Sequence, residues 1–489
     1  MPTVDAALNS ARALVTTLAG ALRAELIETH ISWVLLGADT AYKIKKPVHL
    51  PFVDYSTLAA RRHFCEEEVR LNRRLAPGLY LGVTGITGTP ASPDIDGAGP
   101  VLEYAVRMRR FSPGALFSER AAAGTLDNQD VDQLAALLAG FHEGAPRAAA
   151  TDGFSGADQR RRIALAALEG ARPLASDAAF STLQTWLTAE ADALAPLWTS
   201  RLTDGQVREC HGDLHLANVV RLDEHVAAFD CIEFDPALRW IDVLDDAAFV
   251  VMDLAAHQRP DLCFRFLNAW LDRTGDHAGL PALRFSVVYR ALVRAQVEHL
   301  RSAGSDAARR YLATALAWAQ PGNARLTIMH GLPGSGKTWV SQQLLEQESA
   351  IRLRSDVERK RLYGLGMLED SRARGLDLYG AGTTARTYAQ LFGVARTALR
   401  AGYPVILDAA FPRRIERDQA HALAQDLGVP FSIVHCEAPL PVLRERLLAR
   451  RGDASEANVV VLEQVREAVD PLSGDELSFV RPMAPDNPA

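Results

Sequence analysis

The run Gly331-Leu332-Pro333-Gly334-Ser335-Gly336-Lys337-Thr338 limits the fold of its surroundings more than any other stretch of this 489-residue chain. An apolar strand-like segment, Leu326-Thr327-Ile328-Met329-His330, leads into it, and an apolar-periodic stretch to Leu345 leads out. This is G-x-x-x-x-G-K-[ST] in strand–loop–helix order, and its glycines let backbone N–H groups turn inward around a phosphate. The helix that follows adds the partial positive charge of its N-terminus. Gly331, Gly334, Ser335 and Gly336 form the cradle, Lys337 reaches toward β- and γ-phosphates, and Thr338 offers a hydroxyl to Mg²⁺. A buried strand feeding a helix in this way predicts an α/β domain with a mainly parallel sheet.

Strands and helices keep alternating downstream. Ala350-Ile351-Arg352-Leu353 ends in Arg354-Ser355-Asp356, Pro404-Val405-Ile406-Leu407 ends in Asp408, and Phe431-Ser432-Ile433-Val434 follows. Ligands sit at the carboxyl ends of strands in such sheets. Asp356 thus has the placement of a base toward an acceptor hydroxyl, and Asp408 that of a metal ligand. Either could instead be a helix cap. Residues 443–451 read as an arginine-rich helix, for which a solvated basic face is the default. Arg354-Ser355-Asp356-x-x-Arg359, Asp408-Ala409-Ala410-Phe411 and this helix together resemble zeta-toxin, polynucleotide and gluconate kinase relatives, over residues 326–469. That resemblance implies a lid helix that offers Arg446 and Arg450 to the transferring phosphoryl group.

A second dense stretch is His211-Gly212-Asp213-Leu214-His215-Leu216-Ala217-Asn218, followed by Phe229-Asp230 and Glu233-Phe234-Asp235. The apolar runs 219–222 and 226–229 form a hairpin that returns Asp230 to the loop. Asp213 could accept a hydroxyl proton, while Asn218 and Asp230 supply hard oxygen ligands for Mg²⁺. Upstream, 31–36 and 40–45 read as a hairpin whose second strand turns Lys43 and Lys45 to one face. In a helix expected over 61–75, Glu68 shares a face with Phe64, Leu71 and Leu75 and so points inward. Glu66 and Glu67 keep company with arginines and suit solvent.

The spacing H-G-D-x-x-x-x-N with a later Asp follows the kinase H-R-D-x-x-x-x-N loop. It resembles the aminoglycoside phosphotransferase and choline kinase relatives of protein kinases. The resemblance implies a two-lobed α+β protein-kinase-like domain in which a strand lysine grips ATP phosphates and pairs with Glu68. Lys43 is favoured for that task, with Lys45 the close alternative and a solvated lysine pair the bland one. It also implies a hinge strand at 101–108 and an Asp242 that props the catalytic loop. From the residues alone, 101–108 is as readily a core strand, and Asp242 a solvent-facing acid at a helix start. No G-x-G-x-x-G precedes the lysine strand, a departure from protein kinases that the aminoglycoside phosphotransferase-like enzymes often share. His211 orients the loop in this reading, and His215 either faces substrate or is an ordinary loop residue.

The expected organisation is an aminoglycoside phosphotransferase-like domain at 1–320, a P-loop kinase-like domain at 324–480 and a flexible tail at 481–489, with a connector at 319–323. Taken whole, the chain resembles bacterial fusions of these two domain types. That resemblance implies no particular substrate; Asp213 as base points to a hydroxyl acceptor, and the expected activity is ATP- and Mg²⁺-dependent transfer of the γ-phosphoryl group to a small-molecule hydroxyl, with a second nucleotide site in the P-loop domain. The alternative is a nucleotide-gated regulatory protein with one catalytic domain.

A net charge of -7 argues against a broad nucleic-acid surface, leaving only a local groove in the P-loop domain open. Five scattered cysteines without C-x-x-C spacing argue against disulfides or zinc and for a reducing cytoplasm. The apolar run 13–22 is too short to span a bilayer, so no membrane partner is expected. No cue bears on oligomeric state.

Overall fold

The computed structural model describes residues 4–50, 53–376 and 378–481. Of the expected tail, 482–489 lies outside the described residues. The chain divides into two compact units, one of Met1–Arg160 with Ala195–Val250, the other of Arg161–Leu194 with Val251–Ala489.

In the first unit, six strands form an antiparallel sheet in the spatial order Glu25–Glu28, Ser32–Leu36, Thr40–Lys45, Glu103–Arg109, Tyr80–Thr89 and Ser92–Ile95. Strand alternation sorts the side chains. Trp33, Leu35 and Ile44 face a core shared with Leu14, Val15 and Leu18 of the helix Val4–Leu22. Ala41, Val106 and Met108 face Cys65 and Val69 of the helix Leu58–Asn72. With a period of two, Lys43 and Lys45 share the face of Ala41 and so meet that helix. The helix begins three residues before the expected position because Thr57 caps it, accepting the Ala60 N–H. Val219–Leu222 pairs with His225–Ala228 as the expected hairpin.

The second unit holds a four-stranded sheet in the order Ile351–Arg354, Val405–Asp408, Leu326–His330 and Phe431–His435, every pair parallel. The helices Pro260–Thr274 and Leu280–Arg301 belong to this same unit. The buried Asn268 amide explains part of their attachment, because it donates to Ala350 O at 2.8 Å and accepts the Arg352 N–H at 2.6 Å. The connector is packed as well: a Cβ on Gly322 would lie 2.2 Å from Gly402 O. Compactness therefore divides the chain at Val250–Val251, ahead of the connector. Among the described residues no helix is long and apolar enough to cross a membrane.

Candidate functional site

In the first unit the strand lysines and the helix glutamate converge. Lys43 Nζ lies 2.9 Å from Glu68 Oε1 and 2.5 Å from Asp230 Oδ1. Lys45 Nζ, fully buried, lies 2.7 Å from the other Glu68 oxygen and also bonds Glu233, which accepts the Tyr55 hydroxyl at 2.6 Å. Glu68 thus serves both lysines, and the two differ in what else they hold. Burial works against the Lys43 ammonium, but Asp230 and then Glu68 outweigh it and keep its pKa well above the usual lysine value. Burial likewise opposes the Glu68 carboxylate, and the two lysines hold it below the usual range.

The loop that carries Asp213 needs glycine at 212, where φ is +89° and a Cβ would sit 2.7 Å from Leu238 O. His211 accepts the Asp213 N–H on Nδ1 at 3.3 Å and donates from Nε2 to Phe229 O at 2.9 Å, the pattern of a neutral ring. Burial lowers its pKa in the same sense, against the pull of Asp246 and Asp213. Asn218 donates to Asp213 O at 2.9 Å, and its own backbone carbonyl accepts the Phe229 N–H at 2.9 Å. That bond brings Asp230, in a left-handed conformation with φ +67°, next to the loop. His215 Nε2 stands 3.4 Å from Asp213 Oδ2.

Asp242 does not prop this loop. It is buried against Arg201, with two contacts of 2.7 Å, and accepts the Leu244 N–H. The task falls to Asp246, one helical turn later. It accepts the His211 and Gly212 N–H groups at 3.1 and 2.9 Å and meets His142 Nε2 at 3.2 Å. Four-residue spacing in an acidic run was the available signal, and it does not separate the two aspartates. Glu233 and Tyr55 carry no local signal of their role for a similar reason, since only the folded chain brings them to Lys45.

In the second unit the phosphate-loop glycines adopt positive φ, +143° at Gly331, +84° at Gly334 and +92° at Gly336. Lys337 Nζ donates to Gly331 O at 2.8 Å and Leu332 O at 2.9 Å. Burial lowers its pKa, with Asp408 opposing. A cavity of about 670 Å³ is lined by Lys337, Thr338, Asp356, Asp408, Arg446 and Arg450, together with Gly334 and Gly336. Gly331 and Ser335 are not among its lining, and Ser335 is buried in the loop. Asp408 ends its strand and accepts from Ser341 Oγ at 3.1 Å. Asp356 is the second residue of the helix Ser355–Arg361, whose cap position is Arg354, so neither aspartate is a helix cap. Arg359 holds Asp356 at 2.6 Å, Arg450 lies 3.7 Å from Asp453, and Arg446 Nη1 is 3.4 Å from Gly334 O.

The AAA domain family matches residues 326–472. The uncharacterized proteins Rv2004c of Mycobacterium tuberculosis and Mb2027c of Mycobacterium bovis are each 32% identical to the chain over 445 residues, 89% of this chain and 88% of theirs. Among solved structures the chain is similar to the Mycobacterium tuberculosis APS kinase CysC in complex with AMPPNP and APS. That likeness has 27% identity, covers 26% of this chain and 69% of that one, and has a TM-score of 0.22. A gluconokinase from Sinorhizobium meliloti is similar at 18% identity over 33% of this chain and 82% of its own, with a TM-score of 0.24.

Proposed function

The chain belongs to the family of the mycobacterial proteins Rv2004c and Mb2027c, and from that premise we propose a phosphotransferase with two nucleotide sites on one polypeptide. The shared 445 residues are too many to be confined to either half, which supports reading the two halves as a pair that occurs together in these relatives. Functionally, we take residues 1–320 as an aminoglycoside phosphotransferase-like kinase and 324–480 as a P-loop kinase-like domain.

The observation that carries the first site is the ion cluster in which Lys43 stands 2.9 Å from Glu68 and 2.5 Å from Asp230. A lysine held between a helix carboxylate and a loop carboxylate is the arrangement that grips ATP phosphates in kinases. In this reading Asp213 accepts the proton of the acceptor hydroxyl, and Asn218 and Asp230 hold Mg²⁺. In the second site Lys337 binds phosphate, Thr338 and Asp408 hold Mg²⁺, Asp356 is the base, and Arg446 and Arg450 meet the transferring group. Both donor sets are made of oxygen atoms, as Mg²⁺ requires, and the ion would neutralise phosphate charge there.

The test is Mg²⁺-dependent ATP consumption by wild type, Asp213→Ala and Lys337→Ala across a pooled library of hydroxyl metabolites. A library-dependent signal lost in Asp213→Ala is the expected result for the first site. Turnover that ignores the library and disappears only in Lys337→Ala would make the first site a regulator and refute the two-enzyme reading.

A further inference from the structure

Trp339 immediately follows Thr338 in the first turn of the helix Lys337–Glu348. Among the described residues, the large apolar side chains left in solvent are otherwise aliphatic, whereas Trp339 is an indole with 44% exposure. It is also the one member of that set that lines the 670 Å³ cavity. The cavity's other aromatic side chains are already engaged. The Arg359 guanidinium lies 4.8 Å over the Tyr379 ring, and the Tyr388 hydroxyl accepts the Phe411 N–H at 3.0 Å. Trp339 makes no ring, cation–π or side-chain hydrogen-bond contact among the described residues.

An uncovered indole beside a phosphate cradle has one economical use. Its flat apolar face gains most from another flat π-system, and it lies two residues from the lysine that fixes the phosphates. We propose that Trp339 is the stacking platform for the base of a purine nucleotide whose phosphates occupy the P-loop. This rests on the nucleotide-binding reading of that loop. Stacking uses the face of the base and not its edge, so the platform serves adenine and guanine alike.

The test is calorimetry on the full-length chain carrying Asp230→Asn, which removes a metal ligand of the first site, with ATP, GTP and tripolyphosphate as probes. Added to that chain, Trp339→Ala is expected to weaken ATP and GTP binding alike, by about tenfold or more, and to leave tripolyphosphate binding unchanged. Trp339→Phe keeps an aromatic face and is expected to stay within about threefold of the parent. The stacking assignment is overturned if Trp339→Ala binds ATP like its parent while Lys337→Ala does not. It is equally overturned if tripolyphosphate weakens as much as ATP, or if only one of the two bases is affected. Lys337→Ala that binds ATP undiminished would remove the nucleotide reading of the loop, and the stacking with it.

Discussion

Asp246 accepts the Gly212 N–H at 2.9 Å, and through its other oxygen the His211 N–H at 3.1 Å. Burial opposes its charge, but the bond from His142 and the bonds from the loop hold its pKa below the usual carboxylate range. Removing it leaves buried donors without an acceptor on both the loop and the helix. Asp246→Ala is therefore expected to cost about 3–5 kcal/mol of stability and to abolish Asp213-dependent phosphoryl transfer. Denaturant midpoints and acceptor-dependent ATP consumption read the two effects. A variant with wild-type turnover would mean the loop keeps its shape without this carboxylate.

The two lysines make opposite predictions although one glutamate serves both. Lys45 has no exposed side-chain surface, and its loss leaves the buried Glu233 without its cation and Glu68 with Lys43 alone. Lys45→Met should behave as a stability variant, losing about 3–5 kcal/mol. Lys43 borders Asp230, whose side chain is 44% exposed, so water can replace the ammonium there. Lys43→Met should fold close to normally and lose ATP use at the first site. Circular-dichroism melts set beside single-site activity separate them, and the reverse pattern would make Lys45 the phosphate-binding residue.

Legibility in the sequence followed the range of the interaction. The phosphate loop and the H-G-D-x-x-x-x-N loop are local spacings that carry their own turn chemistry, so their strand–loop settings could be read directly. Glu68 was legible because helical phase alone turns it inward with Leu71. The choice between Lys43 and Lys45 was not, because both face the same helix and only Asp230 and Glu233, almost 190 residues later, tell them apart. Asp242 closes the strand Trp240–Asp242 and Asp246 lies four residues on in the helix Val243–Ala256, and the partners Arg201 and His142 that distinguish them arrive from other helices. The attachment of the helices after Val250 to the P-loop sheet likewise depends on Asn268, whose amide gives no sequence cue to a distant strand.

Two buried histidines set an acid limit on the second unit. Burial first, and then Arg361, lowers the His277 pKa to about 4. Burial and then His435, whose Nδ1 is 2.6 Å away, lower that of His330 to about 4. Both folded values lie below the ordinary 6.5, so as pH falls the unfolded chain takes up these protons first. Stability from each site is complete above about pH 6.5 and declines by at most about 1.4 kcal/mol per pH unit toward about pH 4. Urea midpoints between pH 6.5 and 5, where ordinary carboxylates stay ionised, should fall in wild type. They should fall less in a His277→Asn, His330→Asn double variant, and equal slopes would show that neither ring is held neutral.

Gly331 and Lys337 fail differently when replaced, and the contrast bears on whether the two sites are independent. At Gly331 φ is +143°, and a Cβ would lie 2.2 Å from Cys436 O, so Gly331→Ala must displace either the loop or the backbone after the adjacent strand. It should lose P-loop nucleotide binding together with stability. Among the described residues Lys337 bonds the loop carbonyls of Gly331 and Leu332, so Lys337→Ala should leave the fold nearly intact and remove tight phosphate binding. Neither residue is part of the Lys43, Asp213 and Asp230 cluster. Asp213-dependent transfer should accordingly survive Lys337→Ala, just as P-loop turnover should survive Asp213→Ala. Acceptor-resolved assays on the two variants decide the matter: Lys337→Ala silencing both activities would mean that nucleotide at the P-loop gates the first site, and the two would have to be treated as a single coupled enzyme.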